Sequence, residues 1–119
     1  MPDTSPEEFT KKCARLLQVA LSPLDHLCLV DVSDGHTVEG FKDGRAHKPD
    51  GVELFVLAVS ENFVGKSPVE RHQMVNNPLR EYFATGDIHA MQIRAWTPKQ
   101  WDKKGKPLNL KSKACSSLL

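Results

Sequence analysis

Histidine side chains are the groups in this sequence best suited to bind a metal. His36 lies in a glycine-containing segment, His47 follows eleven residues later, and His89 begins an apolar segment. A neutral imidazole can bind a metal through one nitrogen while the other nitrogen makes a local hydrogen bond. Metal binding is therefore open to His36, His47 and His89, although from the residues alone His89 would be interpreted as structural. The alternatives are a solvated loop histidine at 36 and a histidine at the margin of the core at 89.

The cysteines and carboxylates are weaker candidates. The three cysteines, Cys13, Cys28 and Cys115, contain no C-x-x-C pair, and an odd number favours a reducing compartment. Cys13 lies in an apolar helical stripe and Cys28 within an apolar strand, so we expect both to pack in the core. Cys115 lies in a polar tail and has no predicted role. The Glu53 carboxylate is a harder ligand than imidazole or thiolate, which makes it a low-ranked donor beside the histidines.

No catalytic motif is present in the sequence. Serine, histidine and aspartate all occur, but there is no G-x-S-x-G elbow, H-E-x-x-H pair, phosphate-binding loop or paired-cysteine zinc site. We therefore predict that the protein is not an enzyme.

The elements that position these residues follow from periodicity. Apolar residues recur every three or four positions after Pro6, which predicts a helix that ends at Ser22-Pro23. Residues 26–32 and 52–60 read as strands that are apolar on both faces. Between them, residues 33–50 contain three glycines and a proline, which indicates a long surface loop.

The second half of the sequence predicts two short helices and a last strand. One helix covers residues 68–75, and a second has Asn77-Pro78 as its cap and first position and ends before Gly86. The strand covers 88–96, with His89, Met91 and Ile93 on one face. The predicted fold class is α+β, a single small domain in the order αββααβ, with a three-stranded sheet covered by helices. The predicted boundaries are a flexible N-terminus (1–4), a folded domain (5–101) and a flexible basic tail (102–119).

Composition allows one hydrophobic core. The chain has 119 residues, of which 39% are hydrophobic and 26% charged, and its net charge is +1. This charge gives the whole domain no strong attraction to nucleic acid or anionic lipid. No apolar run reaches the roughly 20 residues that a membrane span needs. We expect a cytoplasmic protein, with mitochondria as the alternative compartment.

Four short motifs occur in an informative order. They are Asp31–His36, Val59–Phe63, Arg71-His72 with Val75, and Ile88–Ala90 leading to Thr97-Pro98 and Trp101. Together they resemble the BolA family over residues 5–101. The resemblance implies a KH-like fold of the second type, although the G-x-x-G loop with which KH domains clamp nucleic acid is missing here.

The resemblance also implies a function for the histidines. BolA-like proteins form a heterodimer with a monothiol glutaredoxin and share a [2Fe–2S] cluster with it, in cluster assembly and trafficking or in iron sensing. The matching residues make His89 the principal ligand and His36 the second. Such a cluster needs four ligands, so the glutaredoxin and its bound glutathione would supply the other two. No cluster is expected in the isolated chain.

Two basic features leave alternatives open. Arg71 and His72 match part of an Arg-His-Arg run of the family, with Gln73 in the third place. The pair could bind an acidic surface of the partner; the alternative is that His72 packs its ring under the sheet while Arg71 is solvated. The lysines near the C-terminus and the KH-like order of elements suggest the alternative of a nucleic-acid-binding transcriptional regulator.

Overall fold

The computed structural model describes residues 6–32, 51–110 and 117–118. Its elements, in chain order, are α1 (Pro6–Leu21), β1 (Leu24–Asp31), β2 (Val52–Ser60), α2 (Pro68–Asn76), α3 (Arg80–Thr85), β3 (Ile88–Trp96), α4 (Pro98–Lys103) and β4 (Ser117–Leu118). Short 3₁₀ turns follow β2 and α2. The order αββααβ is confirmed up to β3.

One mixed sheet forms the centre of the molecule, with strand order β3-β2-β1-β4. β1 pairs with β2 in antiparallel orientation, whereas β2 and β3 are parallel and are joined through α2 and α3. These three strands and their helices confirm the predicted α+β class. A fourth, two-residue strand, β4, pairs antiparallel with the outer edge of β1.

The main core lies between the helices and one face of the sheet. From α1 it takes Cys13, Leu17 and Leu21, all at most 1% exposed, and from the strands it takes alternate residues such as Leu27 and Leu29. The periodicity also predicts a core position for Leu16, three residues after Cys13, but Leu16 is 40% exposed, so the buried face of α1 is narrower than the sequence pattern indicates. Spacing of three and four residues marks a face but does not show how far the neighbouring layer extends over it.

The other face of the sheet carries a smaller apolar cluster. Cys28, Val30, Phe55 and Leu57 are at most 1% exposed, and Trp96 packs against them. The two central strands are therefore buried on both faces, as their continuous apolar sequences predict.

Polar side chains fasten the end of α1 to the end of β2. The buried Ser60 hydroxyl lies 3.0 Å from the Leu21 carbonyl oxygen and 2.8 Å from that of Pro23. The side-chain amide of Asn62 donates to the carbonyls of Leu21 and Ser22, at 3.0 and 2.8 Å. A helix leaves its last carbonyls without intrahelical partners, and these two residues satisfy them.

The helices after β2 and β3 begin with capping boxes. Ser67 caps α2 and exchanges hydrogen bonds with Glu70, with the Ser67 amide 2.8 Å from Glu70 Oε1. Thr97 and Gln100 make the same exchange at the start of α4. In both cases proline occupies the first turn, where its missing N–H costs nothing. The predicted start of α2 at Pro68 is confirmed.

Residues 104–110 lie against the folded domain. Lys104 Nζ is 4.8 Å from the centre of the Trp96 ring, and Lys106 Nζ is 5.6 Å from that of Trp101. The sequence predicts a flexible basic tail from residue 102. Hydrophobic periodicity carries no information on contacts between lysine and tryptophan, so it could not indicate these two contacts. Among the described residues, no helix is long and apolar enough to cross a membrane.

Candidate metal-binding site at one end of the sheet

His89 lies at an irregularity in the pairing of β2 with β3. Val52 pairs with Ile88 and Glu53 pairs with Ala90, so the register skips His89. Ile88 is 2% exposed and packs in the main core, while His89 is exposed. An extra residue in one strand redirects the side chains around it. The predicted common face for His89, Met91 and Ile93 is therefore wrong for His89, which is presented to solvent.

Both described ends of the 33–50 segment lie at this same end of the sheet. At the end of β1, the Val32 amide donates to the Glu53 carbonyl at 2.9 Å. At the start of β2, the Val52 amide donates to the Asp87 carbonyl at 2.9 Å, two residues before His89 in the chain. The segment that carries His36 and His47 thus leaves and rejoins the sheet beside His89.

His36 and His47 themselves lie outside the described residues, and so does Cys115. What the structure contributes is the position of the segment's two ends. Both ends are held by backbone hydrogen bonds of β2, the strand that pairs with β3. The segment that contains His36 and His47 therefore begins and ends close to His89.

The remaining candidate donors near this end are engaged or buried. The Glu53 carboxylate accepts a hydrogen bond from the Gln92 amide at 3.4 Å. Cys28 is completely buried and disulfide-bonded, so it offers no thiolate. Within the described part of the chain, no group of three or more histidine, cysteine or acidic residues could hold a metal ion. An imidazole is a ligand type that suits iron, and the described residues offer one exposed imidazole at this end of the sheet, that of His89.

Cys13 is buried and free, as the sequence predicts. Burial raises the pKa of its thiol to about 12, the Asp87 carboxylate adds to the rise, and Lys12 opposes it. A thiol held so strongly in its neutral form is a poor metal ligand.

Arg71 and His72 have different environments although they are neighbours on α2. Arg71 Nε donates to the Lys66 carbonyl at 3.0 Å, and Nη1 donates to the Ala95 carbonyl at 3.1 Å and to Gln100 Oε1 at 2.9 Å. Arg71 therefore links α2 to β3 and α4. His72 is exposed. This reverses the structural alternative from the sequence, which placed the histidine ring under the sheet and the arginine in solvent.

Sequence reasoning missed a second histidine with a defined environment. The His26 ring is 4% exposed, stacks on Trp101 with ring centres 5.2 Å apart, and bonds through Nε2 to the Leu108 carbonyl at 2.8 Å. A carbonyl only accepts, so Nε2 carries the proton. His26 is the first residue of the predicted strand 26–32. A histidine at that position is typical of a strand boundary and does not indicate whether its ring is buried.

Comparison with known proteins places this arrangement in a family. The family model described as BolA-like protein matches residues 17–100, which is most of the chain and runs from the last turn of α1 through β3, including His89. The chain belongs to the BolA family.

Individual BolA relatives agree with this assignment. The acid stress protein IbaG of Escherichia coli is 48% identical over 52 residues, covering 44% of this chain and 62% of IbaG. BolA-like protein 1 of Mus musculus is 41% identical over 87 residues, covering 71% of this chain and 55% of the relative. The matches thus span less than two thirds of the length of these two relatives.

A solved BolA structure shows the same fold. The solution structure of BolA1 from Mus musculus superimposes with a TM-score of 0.65 at 28% identity, covering 96% of this chain and 84% of that one. Within this BolA fold, Ser60, Asn62 and Thr97 of the motifs serve structural contacts. Among the motif residues that the structure describes, His89 is exposed and lies at the end of the sheet.

Proposed function

We propose that this BolA protein is a non-enzymatic adaptor that binds a monothiol glutaredoxin and shares a [2Fe–2S] cluster with it. The observation that carries the proposal is the exposed His89 at a register skip, beside both ends of the segment that holds His36 and His47. In this role the protein acts in cluster assembly and trafficking or in iron sensing.

The ligand chemistry supports a shared site. A [2Fe–2S] cluster takes four ligands, and two histidines with two thiolates are an established combination. We assign His89 as the principal ligand from this chain and His36 as the second, with His47 as the alternative. Cys28 is excluded because it is bonded, so the two thiolates come from the glutaredoxin cysteine and glutathione.

The structure of β3 suggests how His89 is held for this task. Ile88 anchors the strand in the core on one side of His89, and Ala90 pairs with Glu53 on the other. The backbone of His89 is therefore fixed by its neighbours while its imidazole stays accessible. A ligand on a strand end is positioned more precisely than one on a loop.

His72 is the better of the two candidates for contact with the partner. It is exposed on α2, whereas three hydrogen bonds already hold the Arg71 guanidinium to backbone and to Gln100. We propose that Arg71 supports the surface on which His72 is displayed, and that His72 meets the glutaredoxin.

The test is reconstitution of the mixed complex from this protein, a monothiol glutaredoxin, glutathione, iron and sulfide. Visible circular dichroism should differ from that of the glutaredoxin holo-dimer. His89→Ala should abolish the new spectrum and lower cluster retention by at least about tenfold. His89→Cys should retain a cluster with an altered spectrum, because thiolate replaces imidazole. Lys99→Ala is the control: it removes an exposed side chain from α4, at the other end of β3 from His89, and should keep the spectrum of the cluster.

The second ligand is assigned by the same experiment. His36→Ala should weaken retention more than His47→Ala, and the opposite order would move the second ligand to His47. An unchanged spectrum on mixing, or one that His89→Ala leaves intact, would contradict the proposal. The nucleic-acid alternative would then be examined by the salt dependence of binding, which is steep where phosphates are neutralised.

A further inference from the structure

The face of α1 that points away from the sheet carries exposed side chains of two kinds. Leu16 and Val19 are apolar, and Val19 is 82% exposed. Lys12 and Arg15, about one turn earlier, are basic and also exposed. Because the four residues are separated by three or four positions, they are neighbours on one side of the helix. We call Lys12, Arg15, Leu16 and Val19 the outer stripe of α1.

Charge and apolar surface are separated along the length of this stripe. The two cations occupy its N-terminal half and the two apolar residues its C-terminal half, over about 10 Å at 1.5 Å per residue. Single exposed apolar residues are ordinary on a protein surface. What distinguishes the outer stripe is the adjacency of two apolar side chains and the order in which charge is followed by apolar surface.

The cations of the stripe have no structural role in the described part of the chain. Within residues 6–32, 51–110 and 117–118, the side chains of Lys12 and Arg15 take part in no ion pair, hydrogen bond or cation–π contact. Positive charge stabilises a helix in its last turn, but these cations lie near the middle of α1, and its last turn has no basic residue. The stability of the helix therefore does not account for them.

Two other kinds of surface complement the stripe poorly. With a second copy of this chain, antiparallel α1 helices would place cations against apolar residues, and parallel helices would place cations against cations. Burying an unpaired cation is unfavourable, and like charges repel. A helix that lies on a membrane has its basic and apolar residues on different faces, whereas the outer stripe has both on one face.

We propose that the outer stripe of α1 is a docking surface for an acidic amphipathic helix of a partner protein. Carboxylates on one half of the partner helix pair with Lys12 and Arg15, and apolar residues on its other half cover Leu16 and Val19. Two helices pack side by side when rows of side chains three or four residues apart interdigitate. Complementary charge then fixes which end of the partner helix lies over the cations.

This surface is separate from the proposed cluster site and does not depend on it. α1 ends at Leu21, whose carbonyl accepts a hydrogen bond from Ser60 at the end of β2. His89 lies beside the start of β2. The apolar half of the outer stripe is therefore near the opposite end of the sheet from His89, and a helix docked there leaves the imidazole accessible.

Binding of designed peptides to the full-length protein without a cluster tests the proposal. Each probe is a fluorescein-labelled peptide of about 20 residues, long enough to form a helix, with glutamates in one half of a helical stripe and leucines in the other half. Two probes carry the glutamates at opposite ends, because the stripe does not fix the direction of the partner helix. A control peptide of the same composition alternates glutamate and leucine along the stripe. At least one probe should bind about tenfold or more tightly than the control peptide, as measured by fluorescence anisotropy.

Variants of the outer stripe locate the binding. The double variant Lys12→Glu, Arg15→Glu should weaken binding of the probe by at least about tenfold, and should bind a probe with lysines in place of glutamates more tightly than the unaltered protein does. Val19→Ser should weaken binding of the acidic probe by about tenfold, since its apolar contact is lost. Lys99→Glu and Val69→Ser are the matched controls, an exposed lysine and an exposed valine on other helices, and should keep the affinity.

Three results would overturn the proposal. The first is that neither probe binds better than the control peptide, or that the matched control variants lose as much affinity as the stripe variants. The second is binding to vesicles of phosphatidylcholine and phosphatidylserine that Val19→Ser abolishes, which would assign the stripe to a membrane. The third is a concentration-dependent dimer in analytical ultracentrifugation that Val19→Ser dissociates, which would assign it to a second copy of the chain.

Discussion

At the scale of single residues, chemical type alone does not separate structural from functional side chains. Ser60 and Asn62 are polar residues of a family motif, and both donate hydrogen bonds to the Leu21 carbonyl at the end of α1. His26 and His89 are both histidines in strands, yet one is buried against Trp101 and the other is exposed. Exposure after folding distinguishes the candidate ligand from the structural histidine.

Cys13 provides a prediction about reactivity. With a pKa of about 12, only about one thiol in ten thousand is ionised at pH 8, and thiolate is the reactive form. We expect iodoacetamide to modify Cys13 at least about 100-fold more slowly in the folded protein than in guanidinium chloride, as measured by mass spectrometry without reductant. Similar rates in the two states would show that the thiol is accessible.

The same pKa gives a prediction about stability at high pH. In the unfolded chain a cysteine ionises near pH 8.5, so above that pH the unfolded state loses a proton that the folded state keeps. The free energy of unfolding should therefore fall as pH rises from about 8.5 towards 12, by at most about 1.4 kcal/mol per pH unit from this group. Urea titrations of Cys13→Ala should show a shallower fall over the same range.

At the scale of elements, the capping box of α2 makes a prediction about the helix that displays His72. Ser67→Ala removes the hydroxyl that accepts from the Glu70 amide at 3.1 Å, and should lower the free energy of unfolding by about 1 kcal/mol. Ser67→Thr keeps a capping hydroxyl and should stay within a few tenths of a kcal/mol. Urea denaturation at pH 7 measures both, and equal losses in the two variants would contradict a capping role.

Glu70 adds a pH dependence to this element. The Ser67 backbone amide, which donates to the Glu70 carboxylate, lowers the pKa of that carboxyl, and the Ser67 hydroxyl and Lys66 act in the same direction against desolvation. A lowered pKa in the folded state means that its contribution is present above the unfolded value and is lost as pH falls. The start of α2 should therefore loosen on acidification, and Glu70→Gln should remove this dependence.

Elements with local causes were predictable from the sequence, and those with partners distant in the chain were not. Pro68 after Ser67 predicts the start of α2, and the apolar run from Val52 predicts a buried strand, because both signals lie within the element. The skip at His89 depends on how β3 pairs with β2, and β4 depends on the edge of β1. Strand register is set by the partner strand, which the sequence of one strand does not contain.

At the scale of the whole molecule, the candidate site depends on how the sheet end is assembled from separated parts of the chain. The order of motifs predicted the fold class and selected His89 as a candidate ligand, because the motifs contain both residues with structural contacts and this exposed histidine. It did not predict that Cys28 is bonded or that residues 104–110 pack on Trp96 and Trp101. The hydrogen bond from His26 to the Leu108 carbonyl joins this part of the chain to β1 across most of the sequence.

Gly51 lies just before β2 and against the backbone of the turn before β3. A substitution at Gly51 therefore tests how this end of the sheet is assembled. Its φ is 86°, and a Cβ at this position would lie 2.1 Å from the Gly86 carbonyl oxygen, a clash with backbone rather than with a movable side chain. We expect Gly51→Ala to lower the free energy of unfolding by roughly 2–4 kcal/mol, the strain of positive φ added to that of overpacking.

Gly65→Ala is the matched control for Gly51→Ala, since Gly65 has a φ of 77° and a Cβ added there would meet no described atom within 4 Å. Gly65→Ala introduces the strain of a positive φ without a steric clash, and should lower the free energy of unfolding by about 1 kcal/mol. Because Gly51 precedes the strand that pairs with β3 at Ile88, Gly51→Ala should also weaken cluster retention in the mixed complex, while Gly65→Ala should leave it unchanged. Urea denaturation and the reconstitution spectrum measure the two effects, and equal losses for both glycines would mean that the Gly51 contact with Gly86 does not hold this end of the sheet together.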